Sequence, residues 1–172
     1  MTKNSHCGFC GAAYPANLPW PRRCAACGQT AYLNPLPVAV LLAPVGEGLL
    51  VVRRAIDPGR GELALPGGFI DLGETWQEAA ARELREEAGA LVDPAEVTLF
   101  DTASADGVLL VFGLAPPVAD AALPPSAPTA ETSGWEVVTG PVELAFPLHT
   151  AAAERFFATT VDGSREQRLH RR

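Results

Sequence analysis

The chain is poor in positive charge, in long apolar runs and, past its first 27 residues, in cysteine. Thirteen Lys and Arg stand against twenty Asp and Glu, for a net charge of −7. A chain of that sign repels nucleic acid and anionic membrane surfaces, so neither is the expected partner, and an anionic ligand would need a local reversal of sign. No apolar run approaches the roughly 20 residues that a membrane-spanning helix needs. The N-terminal "MTKNSHCGFC" has no apolar stretch of the kind a secretory signal carries, so the expected location is the cytoplasm. What remains is a globular composition, 48% hydrophobic and 19% charged over 172 residues, enough for one compact domain with a small appendage.

The four cysteines fall as Cys7-x-x-Cys10, thirteen residues, then Cys24-x-x-Cys27. Each pair can turn two thiolates toward one tetrahedral ion, and Gly8, Gly11 and Gly28 suit tight turns around the sulfurs. Two disulfides or four unrelated thiols are the alternatives, and a reducing compartment disfavours the first. Residues 1–33 are therefore expected to form a ribbon around a structural Zn²⁺. With four cysteine ligands the ion has no open position, so no catalysis is expected there.

"LNPLP" at 33–37 reads as a linker. Strands are expected at 38–45, 49–55, 63–70, 97–103, 107–115 and 135–138, with a hairpin turn in "SADG". Residues 116–134 read as a long Pro- and Ala-rich loop, 150–158 as a helix packed through Phe156 and Phe157, and 161–172 as a flexible polar tail. In that tail Arg168, Arg171 and Arg172 are either solvated or phosphate contacts. The order of elements predicts an α/β (α+β) domain over 35–160.

The most informative stretch is "GGFIDLGETWQEAAARELREEAGAL", Gly67 to Leu91. Thr75 and Glu78 form a capping-box pattern and Gly89 suits a left-handed cap, which predicts a helix over 76–88. At about 100° per residue, Ala80, Ala81, Leu84 and Ala88 share the core-facing arc. Glu78, Arg82 and Arg85 share another, with Glu78 and Arg82 spaced as a solvated ion pair. Glu83, Glu86 and Glu87 share a third. Like charges at that spacing repel, and a hard divalent ion would reverse the cost. Spacing alone leaves two readings open, a carboxylate site for Mg²⁺ or Mn²⁺ and a plain acidic face.

Gly68, five residues, Glu74, seven residues, and then Arg82-Glu83-Leu84-Arg85-Glu86-Glu87-Ala88-Gly89-Ala90 resembles the Nudix box, G-x5-E-x7-R-E-U-x-E-E-x-G-U. Its fixed polar and glycine positions are all filled. The resemblance implies an αβα sandwich with a mixed sheet, and a pyrophosphohydrolase acting on a nucleoside diphosphate linked to another moiety. It implies that Glu83, Glu86 and Glu87 hold Mg²⁺ or Mn²⁺, with Glu83 also a candidate for activating water. Glu74 would support the loop, Arg82 would orient it, and the Gly67 carbonyl would add a ligand. A homodimer is a family-level expectation.

A cysteine ribbon ahead of such a domain is similar to the architecture of NADH pyrophosphatases. "ETSGW" resembles their "E-A-x-W" element with one extra residue, which makes Glu131 a further candidate ligand or else a charged loop residue. The "SQPWPFPxS" signature of those enzymes is absent from "DTASADGVLLVF". NADH is accordingly not assigned, and ADP-ribose, another dinucleotide or a nucleotide sugar stay open. Arg53 and Arg54 are candidate phosphate contacts or strand-end ion pairs, and Trp135 and Phe112 are base-stacking or core residues. His149 is read as forming a helix-entry hydrogen bond in preference to a catalytic role. The alternative function is a non-catalytic nucleotide-sensing domain that regulates a partner through the ribbon. A nucleic-acid-binding ribbon is disfavoured, with only Lys3, Arg22 and Arg23 as cations.

Overall fold

The computed structural model describes residues 3–105 and 107–169, with side chains in the last helix described as far as Thr159. The chain divides into two compact units, Met1–Pro35 and Leu36–Arg172. In the first, β1 (Arg22–Arg23) pairs antiparallel with β2 (Thr30–Ala31). Two similar turns carry the cysteines. The Gly11 N–H donates to the Cys7 carbonyl at 2.9 Å, and the Gly28 N–H donates to the Cys24 carbonyl at 2.8 Å. Both glycines stand at positive φ, +75° and +74°, a backbone state that residues with a Cβ adopt only at a cost. The repeated Cys-x-x-Cys-Gly pattern is therefore the same turn built twice.

The second unit contains β3 (Leu36–Leu42), β4 (Pro44–Val45), β5 (Gly48–Arg54), β6 (Leu63–Ala64), β7 (Gly67–Phe69), α1 (Trp76–Ala88), β8 (Thr98–Ala105), β9 (Val108–Leu114), β10 (Thr132–Val138) and α2 (Pro147–Leu169). One sheet runs β7–β3–β9–β8, with β3 and β9 parallel and the other pairs antiparallel. The other runs β10–β5–β4, with β6 also on β5, all antiparallel.

The continuous apolar runs "VAVLL" and "LLVV" follow from burial on both faces. Side chains alternate along a strand. Ala39, Leu41, Leu50 and Val52 join Ala79, Ala80, Leu84 and Ala88 of α1 in one core. Val40, Leu42, Leu49 and Val51 join Ala152, Ala153, Phe156 and Phe157 of α2 in a second core. This helix–sheet–helix layering is the mixed α/β architecture expected from the order of elements.

Several boundaries differ from the sequence reading, and β3 already starts at Leu36, inside the stretch read as a linker, because Leu36 pairs with Val108 of β9. The strand expected at 135–138 starts at Thr132, inside the presumed loop, and reaches its partner through an irregular register between Thr132 and Trp135. The last helix starts at Pro147, where a fixed φ and a missing N–H suit the first turn. It continues to Leu169, into the stretch read as a tail, whereas Arg171 and Arg172 and the Arg168 side chain lie outside the described residues. Strands β8 and β9 pair beyond the expected strand end, as far as Ala105 opposite Val108. Among the described residues no helix is long and apolar enough to cross a membrane.

Candidate active site

Helix α1 is anchored at both ends as its sequence predicts. The Thr75 side chain accepts from the Glu78 N–H, the Glu78 carboxylate accepts from the Thr75 N–H, and Gly89 closes the helix at φ +70°. The buried face, however, comprises two i, i+4 rows: Ala79, Glu83 and Glu87 beside Ala80, Leu84 and Ala88. Ala79 thus replaces Ala81 in the core stripe. Glu83 and Glu87 do not stand on a separate wet arc, since they are only 8% and 5% exposed.

The glycines of β7 explain how two carboxylates enter a buried face. The Gly67 N–H donates to Glu87 Oε2 at 3.0 Å. A Cβ at Gly68 would lie 2.3 Å from Glu83 Oε1, and one at Gly67 would lie 2.5 Å from the Ala39 carbonyl oxygen. These two clashes predict different outcomes. Gly67→Ala collides with backbone that cannot yield, and is expected to cost about 1–3 kcal/mol of stability. Gly68→Ala collides with a side-chain end, and is expected to displace the Glu83 carboxylate with a smaller loss of stability. Urea denaturation of both variants, with turnover measured alongside, checks the contrast.

Arg82 ties the loop to the helix with all five of its N–H groups. Nε and Nη2 donate to the two Glu74 oxygens at 3.2 and 2.8 Å, and Nη2 also donates to the Phe69 carbonyl at 2.9 Å. Nη1 donates to Glu83 Oε1 at 2.7 Å and to Glu86 Oε2 at 3.3 Å. The expected Glu78–Arg82 pair is not formed, because Glu78 turns back to cap the helix while Arg82 serves the other carboxylates. The Arg82 guanidinium holds the Glu74 carboxyl below its ordinary range. Burial dominates at the other two. It pushes Glu83 up despite Arg82, and it pushes Glu87 up to about 8.

Arg82, Glu83 and Glu86 face a cleft of about 490 Å³. Glu83, Glu86 and Glu131 line it, and the negative field of Glu131 adds to the upward shifts of Glu83 and Glu87. Glu131 is placed by its carbonyl, which accepts from the Ala55 N–H at 2.7 Å. The next residue, Thr132, is buried and donates its hydroxyl to the Glu87 carbonyl at 2.9 Å. Arg54 also lines the cleft, its guanidinium 5.0 Å from the Phe146 ring centroid and its Nε on the Pro58 carbonyl at 2.7 Å.

The structure does not bring the other candidates to this cleft. Arg53 is held at a strand end by Glu136 at 2.5 Å and by the Gly61 carbonyl at 2.8 Å. Trp135 packs against the α1-side core, and Phe112 is buried in the α2-side core. His149 is the residue for which sequence reading favoured the structural role over a place in the site. Its backbone N–H makes the expected helix-entry bond to Phe146, but its ring reaches the cleft. No sequence signal in "FPLHT" separates these two roles.

In the first unit the four cysteine sulfurs lie within 4.8 Å of one another, and all four thiols are free. Cys7 and Cys27 are 3.8 Å apart, and Cys10 and Cys24 are 3.7 Å apart. Four sulfurs at about 2.3 Å around a tetrahedral zinc ion stand about 3.8 Å apart, so the donor set fits that ion. Backbone N–H groups, that of Phe9 foremost, bring the Cys7 thiol down to about 6, and that of Cys27 foremost lowers Cys24.

Residues 34–159 match the family model described as the NUDIX domain. The chain belongs to the NUDIX domain family. This NUDIX chain is 38% identical over 60 residues to an ADP-ribose pyrophosphatase of Methanocaldococcus jannaschii, covering 35% of this chain and 36% of that one. It is 30% identical over 90 residues to the NAD-capped RNA hydrolase NudC of Shigella flexneri, covering 52% and 35%. The match thus spans about a third of the length of these curated relatives. A NUDIX hydrolase from Nitrosomonas europaea superposes with a TM-score of 0.72 at 25% identity, covering 90% of both chains.

Proposed function

We propose that this NUDIX protein is a divalent-metal-dependent pyrophosphohydrolase acting on a nucleoside diphosphate linked to another moiety, with ADP-ribose the first substrate to test. The observation that carries the reading is one cleft lined by Glu83, Glu86 and Glu131, with Glu87 buried beside Glu83 and with Arg54 also on its lining. Hard carboxylate oxygens in a half-buried cleft fit Mg²⁺ or Mn²⁺. Glu83, Glu86, Glu87, Glu131 and the Gly67 carbonyl are the groups that would hold it. Such an ion, when bound, neutralises phosphate charge and makes a bound water more acidic.

The chain's own part is positioning. Arg82 holds Glu83 and Glu86 while Glu74 holds Arg82, so the carboxylates stay in place as substrate enters. Glu83 is the candidate to take the proton of the attacking water. Water adds to one phosphorus, the anhydride oxygen leaves with the other, and the products are a nucleoside monophosphate and a phosphorylated remainder. The relative named ADP-ribose pyrophosphatase supports this substrate class, and the −7 charge weighs against a long RNA. A nucleotide sensor without catalysis would have no need of the complete carboxylate set. In the ribbon, the cysteine geometry supports a structural Zn²⁺, which suits a reducing, cytoplasmic setting.

The test is a panel of ADP-ribose, NADH, NAD, diadenosine polyphosphates and nucleoside triphosphates with Mg²⁺ or Mn²⁺, read by released monophosphate. ADP-ribose is expected to turn over fastest. No turnover of any diphosphate would end the hydrolase reading.

Metal and pH should be linked. The folded-state pKa of Glu87 lies above its unfolded value, so its contribution to stability is fully present below about 4.5 and is lost as pH rises through about 8. Metal-free protein is therefore expected to lose a few kcal/mol of stability across that window. Mg²⁺ should restore it, raising Tm more at pH 8 than at pH 5.5. Thermal melts with and without the ion measure the difference.

A further inference from the structure

His149 is 5% exposed, lies edge-on to the rings of Phe112 and Phe146 at 5.9 and 5.0 Å, and lines the same cleft as Arg54. Its Nδ1 is sealed from solvent and has no hydrogen-bond partner. A buried lone pair without a donor is tolerated better than a buried N–H without an acceptor. The proton of a neutral imidazole therefore belongs on Nε2, the nitrogen left to meet the cleft. Burial and the Arg54 charge bring the ring down to about 4, so it is neutral at physiological pH and presents one donor without adding charge.

Arg54 lies nearby, stacked on Phe146 with its Nε occupied by Pro58. Its terminal guanidinium N–H groups have no bond among the described residues. An Nε2–H and a guanidinium edge supply donors and no acceptor, and the fitting partner is an anionic oxygen. We infer that His149 and Arg54 form a phosphoryl-recognition pair in the candidate active site, contacting the diphosphate oxygens that the carboxylate-held metal does not. This rests on the proposed hydrolase reading and deepens it, because it assigns two protein-borne contacts to the substrate's phosphate and makes His149 a specificity-determining residue. The aromatic packing of His149 fixes its ring plane, so the donor is preorganised.

The inference is tested on ¹⁵N-histidine-labelled full chain with Mg²⁺, titrated with α,β-methylene-ADP, a diphosphate that is not cleaved. The chain has three histidines, which keeps assignment simple. The expected result is a neutral His149 ring protonated at Nε2, with the Nε2 resonance shifting as the probe binds. An Nδ1–H tautomer, or an unmoved His149 ring while β7 and α1 amides report binding, overturns the inference, and absence of any probe binding overturns it too. In kinetics, His149→Phe should raise KM for ADP-ribose about tenfold to a hundredfold, the range expected for losing a hydrogen bond to a charged group, with kcat much less affected. His149→Gln keeps an N–H near the Nε2 position and should recover most of that loss. Wild-type KM in His149→Phe would sink the pair alone. A wild-type protein that binds the probe through His149 but hydrolyses no diphosphate would sink the hydrolase reading and leave the pair standing.

Discussion

Glu83→Gln is expected to lower ADP-ribose turnover by about 10²–10⁴-fold, the range for losing a positioned acid–base group. The fold should persist. Glu83 sits in a buried row of α1, and an amide of the same shape can still accept from Arg82 Nη1, 2.7 Å away in the native chain. Its carboxyl is already pushed up by burial, so removing the charge relieves a desolvation cost and should leave the metal-free melting temperature equal or higher. The informative combination is lost turnover, weakened Mg²⁺ binding and unchanged near-UV circular dichroism. Wild-type turnover in this variant would remove Glu83 from the mechanism and leave the buried carboxylate without a chemical reason.

Cys7→Ser should release zinc and unfold the ribbon while the larger unit stays folded. Among the described residues the first unit is held by two-residue strands, two glycine turns and the bonds of Arg22 to the Leu18 and Asn4 carbonyls, and neither apolar core cluster includes any of its residues. Structural zinc binding in small modules of this kind supplies about 10–16 kcal/mol, so its loss leaves nothing comparable. Residues 36–172 retain two apolar cores of their own. Metal content, with amide hydrogen exchange over 3–35 and over 36–159, measures both expectations. Turnover lost while both units remain protected would instead place the ribbon in the chemistry.

Much of the framework around the candidate site was legible in the sequence. Thr75, Glu78 and Gly89 are local signals, each acting within a few residues, and both ends of α1 follow from them. The Cys-x-x-Cys-Gly repeats are local in the same sense. The errors arose where partners are distant in the chain. Ala79 displaced Ala81 from the core because Gly67 and Gly68, far along the chain, open a backbone surface for Glu83 and Glu87. Arg82 abandoned Glu78 because Glu78 caps its own helix while Arg82 reaches Glu74, Glu83, Glu86 and the Phe69 carbonyl. A helical wheel shows angular positions and cannot show which neighbouring surface lacks side chains.

The amino-acid order alone therefore determined the cysteine module, the capped carboxylate helix, the mixed α/β class and the family. Those depend on spacing and on contacts within a few residues. Only the tertiary structure decided that Arg54 and not Arg53 reaches the cleft, that Glu131 joins Glu83 there, and that the His149 ring turns toward it. Adjacent residues on a strand point to opposite faces, and which face becomes a cleft is set by the elements packed against it.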